Sequence, residues 1–203
     1  MSKKKKRIVL GSGHLYRMDF TGTLPTLEEI CTEENRFSHI KNGGTLEYTK
    51  EIHKETDDLG LVSKTVLVAE DAKLKAGLMT FCGETLKYLI ETARTTITDD
   101  GKRYLTKIGG ISQADESSYV WCFHHVDKKD GDIWVLIIGK NSTGCTIGFK
   151  KDSASIIDAE IASEPCDEEG TLIYYYEEIK EAATESTSTT EPASNEEPTS
   201  TEE

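Results

Sequence analysis

The feature that most constrains this sequence is a pair of apolar runs separated by a short polar turn. The runs are "YVWCFHHV" at 119–126 and "IWVLII" at 133–138, and "DKKDGD" lies between them. Short runs of β-branched and aromatic residues are typical of strands, and the intervening Asp and Gly favour a hairpin turn. Because both faces of each run are apolar, we expect the two strands at the centre of a sandwich or barrel.

Most of the remaining sequence also has strand character, either as apolar–polar alternation or as short apolar runs bounded by turn residues. The further strand candidates are residues 7–20, 44–52, 61–68, 72–80, 102–108, 145–150, 155–162 and 171–179. In the segment 155–162, Ile157, Ala159 and Ile161 share one face, and Asp158 and Glu160 share the other. This strand is expected to have one buried side and one wet, acidic side.

One segment has a helical period. In "ETLKYLIETARTTI" the apolar residues Leu86, Leu89, Ile90, Ala93 and Ile97 form a single stripe, which predicts a helix over residues 84–97 packed on a sheet. The fold class is therefore mainly β (α+β): an antiparallel β-sandwich or half-barrel with one packed α-helix.

Charge and composition divide the chain into three parts. Residues 1–7 include the run "KKKKR", a basic flexible arm. Residues 181–203 contain seven Glu and no aromatic or basic residue, so we expect a disordered acidic Thr/Ser/Glu tail. The net charge is -13 overall, which leaves -11 for the β domain at 8–180. An acidic domain is a poor candidate for tight binding to nucleic acid.

Several short motifs suggest chemistry, but each has a simpler explanation. "GSGHLY" begins a dinucleotide-binding fingerprint, yet Tyr16 replaces its third glycine and a strand pattern follows. His124 and His125 are strand neighbours on opposite faces, so they cannot share one metal ion, and one is expected in the core and one at an interface. Cys82 is expected to be a buried structural cysteine. No metal, cofactor or enzymatic activity is predicted.

The chain has no apolar run long enough to span a membrane, and no membrane partner is expected. Its five widely spaced cysteines suit free thiols in a reducing compartment better than a disulfide framework.

Three stretches resemble the tail tube protein, or major tail protein, of long flexible-tailed bacteriophages of Gram-positive bacteria. "VLGSGHLYRMDF" resembles the first strand of the family. The segment "NGGTLEYTKEIHKETDDLGLVSKTVLVAEDAKLKAGLMTFCGETL" resembles its long hairpin, next strand and helix start. "IIDAEIASEPCDEEGTLIYYYEEI" resembles its closing strand pair.

The resemblance implies a structural virion protein that self-assembles into hexameric rings, which stack into a tube through which double-stranded DNA passes without specific binding. It also implies a tape-measure protein and other tail components as partners, with the protein in the host cytoplasm during assembly and then in the virion tail. An acidic wall would repel phosphate and let DNA slide. The candidates for the lumen are Asp158, Glu160, Glu177 and Glu178.

The segment 45–68 is expected to form a long projecting hairpin. An arm of about eight residues reaches about 26 Å, beyond the radius of gyration of about 16 Å expected for the domain. Apolar character thins along the first arm, which predicts a packed base and a polar tip that contacts the adjacent ring. The predicted contact residues are Ile52, His53, Lys54, Glu55, Thr56, Asp57, Asp58 and Leu59.

Two alternatives remain open. A monomeric β-sandwich binding module for a glycan or cell-surface partner would use exposed aromatics such as Tyr174, Tyr175 and Tyr176. A carboxylate hydrolase would use Asp158 and Glu160, although such a pair is expected by chance among 37 acidic residues.

Overall fold

The computed structural model describes residues 9, 11–98 and 100–180. Within them lie ten strands, two α-helices and a 3-10 helix at Ile111–Gln113. The strands are β1 Gly13–Asp19, β2 Arg36–Ser38, β3 Ile40–Thr56, β4 Ser63–Leu78, β5 Arg94–Ile97, β6 Tyr104–Lys107, β7 Tyr119–His125, β8 Ile133–Asn141, β9 Ile157–Ser163 and β10 Tyr174–Glu177; the helices are α1 Leu27–Ile30 and α2 Gly83–Leu89. The predicted arm 1–7 and tail 181–203 lie outside the described residues.

One antiparallel sheet contains eight of the described strands in the order β2-β1-β7-β8-β9-β4-β3, with β10 paired to β8. The strands β2 and β3 lie at opposite ends of this order, yet only His39 separates them in the chain. The Met79 amide donates to the His39 carbonyl at 2.8 Å, and the Ser38 hydroxyl donates to the Thr80 carbonyl at 2.7 Å. The chain therefore brings the two edges of the sheet together, and the sheet curls. This confirms the predicted mainly β, antiparallel fold.

The central strands β7 and β8 are covered on both faces, as the two apolar runs predicted. One face contributes Trp121 and Ile137 to an inner core cluster. The other face contributes Cys122 and Leu136 to a second cluster, which Ile30 at the end of α1 helps to cover. The Trp121 ring is fully buried, and its indole donates to the Gly139 carbonyl at 3.0 Å. The most apolar segment of the sequence thus separates two cores.

The prediction of a helix over residues 84–97 is wrong in length. The helix α2 ends at Leu89, and the segment Arg94–Ile97 instead forms β5, which pairs with β6. The Thr95 hydroxyl donates to the Gly83 carbonyl at 2.8 Å, so the β-branched residues of β5 are held across the start of the helix. Ile97, the last residue of the predicted stripe, is 61% exposed.

Two strand predictions also change. The separate candidates 61–68 and 72–80 merge into the single strand β4. The candidate 145–150 is not a strand, although Cys145 and Ile147 pack against the inner cluster. Phe149 in the same segment is 90% exposed, so the apolar residues of 145–150 indicate partial burial at two positions and not β pairing. No helix in the described part of the chain combines the length and apolar character needed to cross a bilayer.

Candidate assembly surfaces

The most extended feature of the molecule is the hairpin of β3 and β4. The two strands have 17 and 16 residues and pair from Ile40 opposite Leu78 to Thr56 opposite Ser63, so the hairpin is longer than the predicted 45–68. Its register shifts between Lys41 and Gly44 and again between Glu51 and Ile52. At about 3.3 Å per residue, a strand of this length spans roughly 55 Å.

The base of this hairpin is part of the sheet, and the rest is not. Leu74, Ala76 and Leu78 alternate with partly exposed residues and belong to the inner core cluster. By contrast, every residue from 48 to 71 is exposed, and we call this segment the distal arm. The strand β4 pairs with β9 only through Lys73–Leu78, so the distal arm is a two-stranded ribbon.

A compact turn closes the end of the distal arm. The Asp57 carboxylate accepts a hydrogen bond from the Val62 amide at 2.6 Å, and the Asp57 carbonyl accepts one from the Gly60 amide at 2.9 Å. Gly60 has φ of 70°, a left-handed conformation that favours glycine. The predicted contact residues Ile52, His53, Lys54, Glu55, Thr56, Asp57, Asp58 and Leu59 are all exposed along the last part of β3 and the start of this turn.

The end of the distal arm is less polar than predicted, because apolar residues follow the polar residues 54–58. Leu59, Leu61 and Val62 are 79%, 78% and 71% exposed, and they make the end of the distal arm apolar. The returning strand adds three more exposed apolar residues, Val66, Leu67 and Val68. Apolar character thins only along the first strand, whereas the segment "LGLVSKTVLV" is rich in apolar residues from the turn onward along the second strand.

The acidic candidate Glu160 lies within a network of charges of both signs. The Lys73 ammonium lies 2.6 Å from its carboxylate, and the Lys75 ammonium lies 3.4 Å from it and 2.5 Å from the carboxylate of Glu47. The hydrogen bond from Lys73 lowers the pKa of Glu160, which is the opposite of what a general acid requires. This face of β9 is therefore charge-paired around Glu160, with Asp158 exposed beside it.

The structure does not bring the four acidic candidates together. Glu160 lies at the Asn141 end of β8, where its amide donates to the Asn141 side chain. Glu177 lies opposite Ile133 at the other end of β8, and the Glu178 carboxylate accepts a hydrogen bond from the Asp132 amide at 3.0 Å. Glu160 is therefore separated from Glu177 and Glu178 by most of the length of β8, which is about 26 Å at 3.3 Å per residue.

A polar cleft of about 820 Å³ lies between the base of the hairpin and the loop at 142–156. Its lining includes the basic residues Lys41, Lys75 and Lys150 together with Asp158, and it contains no aromatic side chain. The candidate aromatics lie elsewhere, on β10. Tyr175 and Tyr176 are exposed on opposite faces of this strand, and the Tyr174 hydroxyl donates to Asp167 at 2.7 Å.

The histidine and cysteine candidates are placed as follows. His125 is buried and contacts the Ser12 carbonyl, whereas His124 stacks on Trp134 and lies 2.8 Å from the Asp132 carboxylate. Cys82 is exposed at the N-cap of α2, so its predicted burial is wrong. Among the described residues no cluster of His, Cys, Asp and Glu side chains could hold a metal ion.

No protein-family model matches the chain, and a search of curated proteins gives no significant match.

Proposed function

We propose that this chain is a structural subunit that assembles with copies of itself into stacked rings, forming the tail tube of a long-tailed bacteriophage. The observation that carries the proposal is the distal arm, whose apolar residues are not covered by any of the residues that the structure describes. Several large apolar side chains are exposed close together in the chain, at 59–62 and 66–68, and clusters of exposed apolar residues often mark contacts with another molecule.

The backbone of the distal arm supports the same proposal. Among the described strands, β3 pairs only with β4. The pairing of β4 with β9 covers only Lys73–Leu78 and does not extend into the distal arm. Two long strand edges are therefore available for pairing, and a lone two-stranded ribbon is marginally stable in water. Assembly from identical subunits would present the same surface to every arm and would cover these edges.

Charge favours a conduit for DNA over a DNA-binding surface. Residues 8–180 carry a net charge of -11. The lysines closest to Glu160 are occupied by carboxylates, which leaves them poorly suited to hold phosphate. In this proposal Asp158, Glu160, Glu177 and Glu178 are candidates for the lumen, and DNA passes without specific binding. A tape-measure protein and other tail components are the partners in the virion tail.

The test is whether purified full-length protein forms rings or tubes. We expect electron microscopy and sedimentation velocity across a concentration series to show rings or tubes for the wild type. A Leu61→Asp/Val62→Asp variant should remain monomeric, because the new charges at the tip would have to lose their hydration in the contact between subunits. Both residues are exposed, so the thermal midpoint of the isolated subunit should be unchanged.

Ile111→Asp is the matched control, since Ile111 is also a highly exposed aliphatic residue but lies outside the hairpin. This variant should assemble like the wild type. A wild-type protein that stays monomeric at high concentration and with other tail components would contradict the proposed function. Normal tubes from the Leu61→Asp/Val62→Asp variant would instead contradict only the assignment of the tip.

A monomeric binding module for a glycan or a cell-surface partner is the second candidate function. The polar cleft of about 820 Å³ and the exposed rings of Tyr175 and Tyr176 favour it. A glycan array distinguishes the two candidates: a specific ligand, lost in Tyr175→Ala or Asp158→Asn and bound without self-association, would favour the binding module. Absence of any ligand together with ring formation would favour the tube subunit.

A further inference from the structure

The second core cluster contains two cysteine side chains that face each other. Cys31 follows Ile30 at the C-terminal cap of α1, and Cys122 lies in the middle of β7. Their Sγ atoms are 3.8 Å apart, although the two residues are 91 positions apart in the chain. Both are free thiols.

The surroundings of the two thiols differ in a way that permits a bond between them. Cys122 is fully buried in a strand that is paired on both sides, by β1 and by β8, so its position is fixed. Cys31 is half-buried at the end of a four-residue helix and is followed by an exposed turn. A disulfide needs an S–S separation of about 2.05 Å, so the sulfurs must approach by about 1.8 Å. The end of α1 can supply this movement with little disturbance of β7.

The contact between the thiols also defines which sulfur reacts first. The hydrogen bond with Cys122 lowers the pKa of Cys31, and Trp134 acts in the same direction. The hydrogen bond with Cys31 and burial raise the pKa of Cys122. The thiolate therefore forms on Cys31, the less buried of the two partners, and a thiolate is the nucleophilic form of cysteine.

We propose that Cys31 and Cys122 form a latent disulfide, a modification site that a peroxide closes. The Cys31 thiolate attacks one peroxide oxygen, the O–O bond breaks, and the departing hydroxide takes a proton from solvent to give water. Cys31 is then a sulfenic acid. The Cys122 sulfur attacks the Cys31 sulfur, the S–O bond breaks, and the hydroxyl leaves as water with the proton of Cys122. The two thiols lose two electrons in total, and one peroxide is reduced to two waters.

The disulfide links the short helix that covers the second cluster to the central strand beneath it. In a reducing compartment the pair stays as two thiols, and in oxidising surroundings it closes. A cross-link over a loop of this size constrains the unfolded chain, so we expect the melting temperature to rise on the order of 10 °C. This inference does not depend on the proposed tube function.

The test is oxidation of the full chain with hydrogen peroxide, followed by alkylation and peptide mapping by mass spectrometry. We expect a peptide that joins Cys31 to Cys122, a mass lower by about 2 Da than that of the two reduced peptides, and reversal by a thiol reductant. The exposed Cys82 outside this pair serves as an internal reference for thiol accessibility. The cross-link and the rise in melting temperature should appear together.

Single variants make the result decisive. Cys31→Ala should abolish the cross-link and the rise in melting temperature, and Cys122→Ala should leave a Cys31 sulfenic acid that dimedone traps. Cys166→Ala is the matched control, because Cys166 packs against the same cluster but contacts the Tyr174 hydroxyl instead, and this variant should still form the cross-link. The proposal is overturned if Cys31 oxidises to the sulfinic acid while Cys122 stays reduced, or if Cys31 is joined to Cys166.

Discussion

The central hairpin β7–β8 and the distal arm of β3–β4 are built from similar residues but bury them in opposite ways. The central pair is covered on both faces, and Val120, Cys122, Leu136 and Ile137 have no exposed surface. The distal arm is exposed on both faces although it carries Ile52, Leu59, Leu61 and several valines. Apolar residues therefore form the core of the single chain in one region, and in the other they form a surface that the described part of the chain leaves uncovered.

The largest effect expected from this comparison lies within a single strand. Leu74 and Leu67 both belong to β4, but Leu74 is 1% exposed and Leu67 is 51% exposed. We expect Leu74→Ala to reduce the free energy of unfolding by about 2–5 kcal/mol, because it leaves a cavity in the inner core. Leu67→Ala should change it by less than about 0.5 kcal/mol.

Urea unfolding of the two variants measures both values. Equal losses would mean that the distal arm already contributes to the fold of the isolated chain, and the contrast between the two regions would disappear.

A glycine in each region gives the next contrast. Gly139 lies in β8, where an added Cβ would collide with the Ala162 carbonyl oxygen of the neighbouring strand. Gly60 lies in the exposed turn of the distal arm, where an added Cβ meets no atom but the positive φ disfavours any other residue.

We expect Gly139→Ala to cost about 1–3 kcal/mol or more, because the backbone of β8 or β9 must shift. Gly60→Ala should cost on the order of 1 kcal/mol within the turn and leave the thermal midpoint of the domain nearly unchanged. Thermal unfolding followed by near-ultraviolet circular dichroism compares them. A larger loss from Gly60→Ala would show that the turn is coupled to the core.

The smallest contrast concerns two turns of the same design. Asp57 in the distal arm and Asp167 beside the second core cluster each accept the amide of a residue a few positions later, Val62 and Thr171. Hydrogen bonds from Thr171 lower the pKa of Asp167 from 3.8 to about 2. Because the folded pKa is lowered, the stabilisation by Asp167 is present above about pH 4 and is lost as the pH falls towards 2.

We therefore expect Asp167→Asn to lower the urea midpoint slightly at pH 6, and the difference from the wild type to shrink as the pH falls below about 4. Asp57→Asn is the control. It should leave the urea midpoint unchanged both at pH 6 and below about pH 4, since its turn lies in the exposed arm. A difference for Asp167→Asn that is constant with pH would contradict the assigned role of its carboxylate.

The sequence predicts the features of this molecule that depend on local pattern. The two-sided apolar runs identify β7 and β8, and the alternation of Ile157, Ala159 and Ile161 identifies the buried face of β9. The predicted helix is too long because Ala93 and Ile97 continue the helical period. In the structure the segment Arg94–Ile97 pairs with β6 instead, and β6 lies in a later part of the chain.

The candidate surfaces were less predictable because their chemistry depends on contacts between distant residues. Nothing in the local sequence places Lys73 beside Glu160, or Cys31 beside Cys122, since strand register and helix position decide both contacts. The apolar residues at the tip are different, because the local sequence contains them: Leu61 and Val62 directly follow Gly60, and the second strand of the hairpin continues with further apolar residues.

The hairpin base has a mechanical consequence. Both strands of the distal arm continue into the sheet: β4 runs on against β9, and β3 leads back through His39 into β2 on the opposite edge. A sideways load on the tip is therefore carried as shear on the hydrogen bonds between β4 and β9 and as strain at the closure of the curled sheet. A force at the tip is thus transmitted along the distal arm to the sheet at its base. The register shift between Glu51 and Ile52 is the place along the arm where the ribbon can bend.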